Sequence, residues 1–203
     1  MIKLILKTAP AVEPVSLAEM RAMLGITDGS DTHRDAVITA RITAARRWAE
    51  EHCRRAFVTQ TWTLHADRFW CYRTTDRRYG PYPFDLKPAL QSVTSVKYID
   101  TAGTQQTLAA DQYQVDTVNS RLYSAYGVNW PVTRRQPNAV EIEHVSGYGA
   151  ASTVPQEIKE SLMFIVGHWE NYQSSIEGAV RVTTIPYAVT QLLSPYVDLR
   201  NSF

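Results

Sequence analysis

The chain has 203 residues, 44% of them hydrophobic and 20% charged, and its 21 basic and 20 acidic side chains give a formal net charge of +1. That length buries most of the surface an unfolded chain exposes, so no covalent staples are needed, and the composition excludes a disordered chain. Near-neutrality argues against a dedicated nucleic-acid binder, whose affinity rests on a strong positive field.

Residues 2–6 read as a short strand or extended arm, followed by a linker stiffened by Pro10 and Pro14. Ser16 and Glu19 form a capping box, in which the hydroxyl accepts from the N–H three residues on and the carboxylate reaches back. A first helix follows through Leu17, Met20 and Leu24, and Gly25 stops it. After the turn 28–31 a second helix is predicted over 31–53. Its buried stripe is Ile38, Ile42, Ala45 and Ala49, widened by Val37 and Trp48. Arg54 and Arg55 stand where positive charge favours a helix C-terminus.

Residues 58–64 then alternate with period two and are rich in β-branched and aromatic types, which predicts a strand. Residues 68–83 form a long polar and aromatic loop. A second strand covers 93–100 with a turn at Thr101-Ala102-Gly103, and residues 113–115 and 121–123 flank a hairpin turn at 118–120. Residues 140–145 close the β region. Pro155 fits the first position of a third helix, where its missing N–H costs nothing. Ile158, Leu162, Ile165 and Trp169 make that helix's stripe. A short last helix begins near Pro186 with Val189, Leu192, Leu193 and Tyr196 apolar, and no pattern covers 197–203.

The order helix, helix, β block, helix, helix gives an α+β fold. A small helical core is built from both chain ends, with an inserted antiparallel β block. The expected divisions are 1–56 (N-terminal arm and core helices), 57–150 (β insertion) and 151–203 (C-terminal core helices and tail).

The residues carry little chemistry. Cys53 follows His52, but adjacent helical residues point about 100° apart, so the imidazole is not placed to serve the thiol; packing at a helix end is the expected role. Cys71 has no better partner, and two thiols do not make a disulfide framework, so a reducing compartment is expected. The five histidines never fall at ligand spacing, so no metal and no cofactor is expected. Ser146-Gly147-Tyr148-Gly149 lacks the third glycine of a dinucleotide fingerprint, and its glycines suit a strand-to-helix corner. Glu141 and Glu143 share one strand face, which suits solvation better than acid–base work. The start 1–7 is too short for a signal-peptide core and no apolar run approaches the ~20 residues that span a bilayer, so a cytosolic origin without membrane contact is expected. The loop arginines Arg73, Arg77 and Arg78, interleaved with Tyr72 and Tyr79, have the composition of a nucleic-acid or protein contact. No enzyme is read here.

The serial layout is informative as a whole. Pro14-Val15-Ser16-Leu17-Ala18-Glu19 is followed by Ile42-Thr43-Ala44-Ala45-Arg46 and then by Phe57-Val58-Thr59-Gln60-Thr61-Trp62. Leu90-Gln91-Ser92-Val93-Thr94-Ser95-Val96-Lys97-Tyr98 and Asn129-Trp130-Pro131 come next. The series ends with Arg135-Gln136-Pro137-Asn138-Ala139-Val140, Gly147-Tyr148-Gly149, Val154-Pro155-Gln156-Glu157-Ile158-Lys159 and His168-Trp169. From residue 14 to 196 this resembles the phage head–tail connector family, the adaptor or head-completion proteins of long-tailed phages, prophages and gene transfer agents. Segments 68–83 and 173–184 match no part of it.

The resemblance implies a structural virion protein assembled in the host cytoplasm. It implies a homo-oligomeric ring, commonly dodecameric, docked under the portal protein at the capsid vertex. Such a ring extends the channel for genomic DNA, without sequence-specific binding, and presents a platform to the next neck or tail-completion protein. On that basis the tail 186–203, with Tyr187, Leu192, Leu193, Tyr196 and Phe203, is expected to reach the portal. Arg73, Arg77, Arg78 and Tyr79 are expected to face a neighbouring subunit or the next neck protein. The alternatives are a nucleic-acid-binding module using the loop from Arg73 to Tyr79, and a hydrolase with a composite site.

Overall fold

Among the described residues, two antiparallel sheets and four α-helices make up the fold. The structure, a computed structural model, describes residues 2–27, 31–69, 83–171 and 187–200. The chain divides into a β unit (Met1–Ala11, Thr59–Tyr148 and Leu199–Phe203) and a helical unit (Val12–Val58 and Gly149–Asp198). The helical unit thus draws on both halves of the chain, as the element order requires of an α+β fold with an inserted β block.

In the β unit, strand β1 (Ile2–Thr8) pairs antiparallel with β2 (Gln60–Ala66). The leading segment is therefore a strand whose partner lies far along the chain. Strand β3 is Phe84–Asp85, β4 is Leu90–Ile99, β5 is Gln105–Thr107, β6 is Tyr113–Asp116, β7 is Arg121–Ser124 and β8 is Val140–Ser146. The larger sheet runs β1-β2-β8-β4-β5 and the smaller β3-β7-β6. Alternation decides the faces: Val140, Ile142, His144 and Ser146 of β8 are buried, while Glu141, Glu143 and Val145 lie on the other side.

The core of the β unit joins both sheets, with Leu64, Val96 and Ile142 from the larger and Phe84 and Leu122 from the smaller. An aromatic cluster belongs to it. Phe69 stacks on Trp130 with centroids 4.8 Å apart, and Phe84 meets both rings edge-on. Offset and edge-on pairs of this kind add about 0.5–1.5 kcal/mol each beyond their buried area. Phe69, placed by pattern in a polar loop, is thus a core anchor.

In the helical unit, α1 (Leu17–Met23) starts at the expected capping box. The Ser16 hydroxyl accepts from the Glu19 N–H at 3.2 Å, and the Glu19 carboxylate accepts from the Ser16 N–H at 2.7 Å. Helix α2 (Thr32–Cys53) buries Ile38, Ile42, Ala45 and Ala49 as expected. It differs at the margins of the stripe. Val37 is exposed because it points about 100° away from Ile38, and Trp48 is half-buried, stacked on exposed His52. Two polar side chains, Arg46 and Glu50, are buried along the opposite margin of the stripe.

Helix α3 (Gln156–Asn171) begins one residue after Pro155, whose carbonyl accepts from the Ile158 and Lys159 N–H groups. Ile158, Leu162 and Ile165 are buried, and Trp169 is half-buried. Gly167 lets α1 approach, since a Cβ there would stand 3.0 Å from the Met23 methyl. Arg41 of α2 pairs with Glu170 of α3. Helix α4 (Tyr187–Leu193) buries Val189 and Leu193. At the corner before α3, Gly149 has φ +118°, and a Cβ there would meet the Thr153 hydroxyl at 3.0 Å, which explains the glycine.

Candidate functional site

Chemistry is thinly represented among the described residues. No group of three or more His, Cys, Asp or Glu side chains is placed to hold a metal ion there, and no helix there is long and apolar enough to cross a membrane. Cys53 is fully buried, its Sγ 4.0 Å from the Leu193 carbonyl, while His52 is exposed. The pair is therefore split between core and solvent. Glu143 accepts from the Lys7 ammonium at 2.6 Å, and Glu141 shares its sheet face, opposite the core. His144 is the exception, a fully buried imidazole whose Nε2 accepts from the Lys87 N–H at 3.4 Å. Burial, helped by the Lys87 charge, depresses its pKa from 6.5 to about 4, so it is neutral at physiological pH.

The surfaces named from sequence fare differently. Arg73, Arg77, Arg78 and Tyr79, with Cys71, lie outside the described residues, as does Phe203. In the C-terminal segment, Tyr187 is 76% exposed, Leu192 and Tyr196 are half-buried, and Leu193 is fully buried. Leu193 is a core side chain in this fold and Tyr187 presents its ring to solvent. The predicted apolar pattern marks Leu192 and Leu193 alike, so sequence alone does not separate a packing leucine from a docking one.

The segment after α4 is fastened. The Tyr196 hydroxyl donates to Glu157 at 3.0 Å, and the Tyr196 carbonyl accepts from the Arg55 Nε at 3.2 Å. Through its own backbone N–H and then the Tyr196 hydroxyl, Glu157 is held below the usual carboxylate range. The Asp198 N–H donates to the Cys53 carbonyl at 2.9 Å, satisfying an orphan group at the C-terminal end of α2. Within the β unit, the Arg200 guanidinium donates to the Asn119 carbonyl and lies 3.9 Å from Asp85. Sequence reasoning missed this seat, because Arg200 and Asn119 stand far apart along the chain and belong to no periodic pattern.

No family model and no curated protein matches the chain. Among solved structures it is similar to a chain in the virion of a native gene transfer agent particle, with a TM-score of 0.73 and 21% identity over 97% of this chain and 96% of the other. It is similar to a chain in the neck of the empty particle computed with C6 symmetry, at TM-score 0.73 and 22% identity over 98% and 96%. A chain in the neck of the native particle computed with C12 symmetry gives TM-score 0.66 and 21% identity over 97% and 96%. The chain therefore has the fold of proteins found in gene transfer agent necks, the fold that its serial motifs resemble.

Proposed function

We propose that this chain is a structural subunit of the virion neck, a head–tail connector that assembles as a ring under the portal. The carrying observation is the fold likeness to neck chains over nearly the whole length, with few residues left for another activity. The neck structures were computed with C6 and C12 symmetry, which favours a ring, and twelve copies suit both. A cyclic ring needs a heterologous contact, one patch of a subunit meeting a different patch of the next. The role is one of binding rather than catalysis.

In this reading the ring continues the DNA channel without reading sequence, and joins the capsid to the next neck or tail protein. The C-terminal segment engages the portal through Tyr187, Leu192, Tyr196 and Phe203, while Leu193 supports its helix from the core. Arg73, Arg77, Arg78 and Tyr79 contact the neighbouring subunit or the next neck protein. The test is negative-stain imaging and mass measurement of the purified protein, alone and with its portal. Rings, or portal-dependent rings, are expected. A chain that stays monomeric at high concentration and ignores the portal overturns the proposal.

A further inference from the structure

Resting on the connector reading above, we propose that subunits join through two faces of the helical unit, the basic α2 face of one copy against the acidic α3 face of the next. On α2, Val37, Ala44 and Trp48 follow one another at helical spacing and share a stripe outside the buried one. Val37 and Ala44 are exposed, and half-buried Trp48 stacks on exposed His52, with ring centroids 5.2 Å apart and planes at 10°. Exposed Arg34 and Arg41, the latter paired with Glu170, flank Val37 at i−3 and i+4, and Arg47, next to Trp48 in sequence, is exposed. Of the acids on this helix, Glu50 is buried against Arg46 and Asp35 pairs with Arg21, while Glu51 is exposed. On α3, Glu157, Glu160 and Phe164 fall at the same spacing, with Glu157 exposed, Glu160 half-buried and Phe164 45% exposed. The two carboxylates accept from neutral donors, the Tyr196 hydroxyl at 3.0 Å and the Gln156 Nε2 at 2.9 Å, and so keep their charge. Lys159 points about 100° away from Glu160 and lends its charge to Glu19 of α1.

A single exposed phenylalanine is ordinary on a protein surface. Here two apolar stripes with borders of opposite charge occur on one chain, and that complementarity identifies the occupant as a second copy. Two α2 faces would set arginine against arginine, and two α3 faces glutamate against glutamate; either juxtaposition is unfavourable across an interface. An α2 face against an α3 face matches apolar with apolar and base with acid. Such a contact is head-to-tail, and repeated about an axis it closes a ring. Trp48 is its anchor. Tryptophan and arginine are enriched among the side chains that dominate interfaces, and a ring already held by stacking loses little freedom on binding.

The test is assembly, read as mass by light scattering on purified full chains, alone and with portal. Ala44→Glu sets an acid in the basic α2 face, and Phe164→Lys sets a base in the acidic α3 face. Each variant is expected to keep parent-like circular dichroism and to stay monomeric up to concentrations about 100-fold above those at which the parent forms rings. Mixed one to one, the two should form a heterodimer and stop there, since each keeps one working face. Ala44→Ser and Phe164→Leu, which add no charge, should assemble as the parent does. Glu160→Lys repeats the test on α3 should Phe164→Lys fail to fold. Charged variants that form rings like the parent, or a mixture that stays monomeric, overturn the contact while leaving the connector reading in place. A parent that forms no ring alone or with portal overturns the connector reading itself, and the contact with it.

Discussion

Arg46 and Glu50 stand one helical turn apart on α2, both buried, with Nη1 2.6 Å from Oε2. Each is tied to a second group. The Arg46 Nε donates to Glu13 at 2.7 Å, and the other Glu50 oxygen accepts from the Phe57 N–H at 2.8 Å. Glu13 and Phe57 lie near the two ends of the first chain segment of the helical unit, Val12–Val58, so one buried pair fixes both its entry and its exit.

Breaking a buried pair by removing one partner costs about 3–5 kcal/mol, because the other charge is left uncompensated. Glu50→Ala and Arg46→Ala are each expected to lower the stability of the helical unit by that amount. Arg46→Met combined with Glu50→Gln should cost less than the sum, since neither member of the buried pair is left charged opposite a neutral partner. Urea unfolding followed by helical circular dichroism measures all three. Single variants within about 0.5 kcal/mol of the parent would refute the role of the pair.

His144 sets an acid limit. Its folded-state pKa of about 4 lies below the ordinary 6.5, chiefly because burial disfavours the imidazolium. The unfolded chain therefore binds a proton more readily than the native one. The contribution is fully present above pH 6.5, falls as the unfolded state protonates, and levels off below the folded pKa, a total loss of about 3 kcal/mol. His144→Gln, whose amide carbonyl can accept from the Lys87 N–H, should remove that slope. The expected result is a parent that loses stability between pH 7 and pH 4.5 by about 2–3 kcal/mol more than the variant does. Parallel pH profiles would refute it.

What the sequence made legible was local. The capping box at Ser16 and Glu19, the periodic stripe from Ile38 to Ala49 and the turn before Arg121 each lie within a few residues, and each formed as read. What it hid was made by partners far apart. Arg46 and Glu50 lie outside the predicted apolar stripe, and their partners Glu13 and Phe57 reach them only in the fold. Phe69 and Trp130 stack across more than half of the β unit's sequence, and β1 finds its partner in β2 only through folding. The candidate surface was half legible for a related reason. Periodicity marks Leu192 and Leu193 alike as apolar, and only packing against the core leaves the first half-buried and the second buried.

The proposed subunit contact of the loop is tested by reversing its charge. Arg77→Glu with Arg78→Glu replaces two donors with two acidic groups, which repel any acidic partner patch. Expected is loss of ring assembly, or of binding to the next neck protein, with unchanged circular dichroism. Wild-type assembly in both assays would count against the loop as a contact. A filter-binding series over salt, run on the parent, distinguishes the nucleic-acid alternative, since true phosphate binding weakens steeply as salt rises.

The C-terminal segment separates into a part that the fold needs and a part that it does not. Deleting 187–203 removes Val189 and Leu193, both fully buried, and each such loss costs about 2–5 kcal/mol when a large side chain is removed from a core. That truncation is expected to unfold the helical unit, so its failure to bind portal carries no information about docking. Deleting 197–203 instead keeps α4 and the Tyr196–Glu157 hydrogen bond, and gives up the Asp198 and Arg200 fastenings. A folded chain with parent-like circular dichroism is expected, and with it a loss of co-sedimentation with portal. Tyr187→Ser, at a side chain 76% exposed, should weaken the same binding without touching stability. Undiminished co-sedimentation of the shorter truncation would place the portal contact elsewhere in the chain.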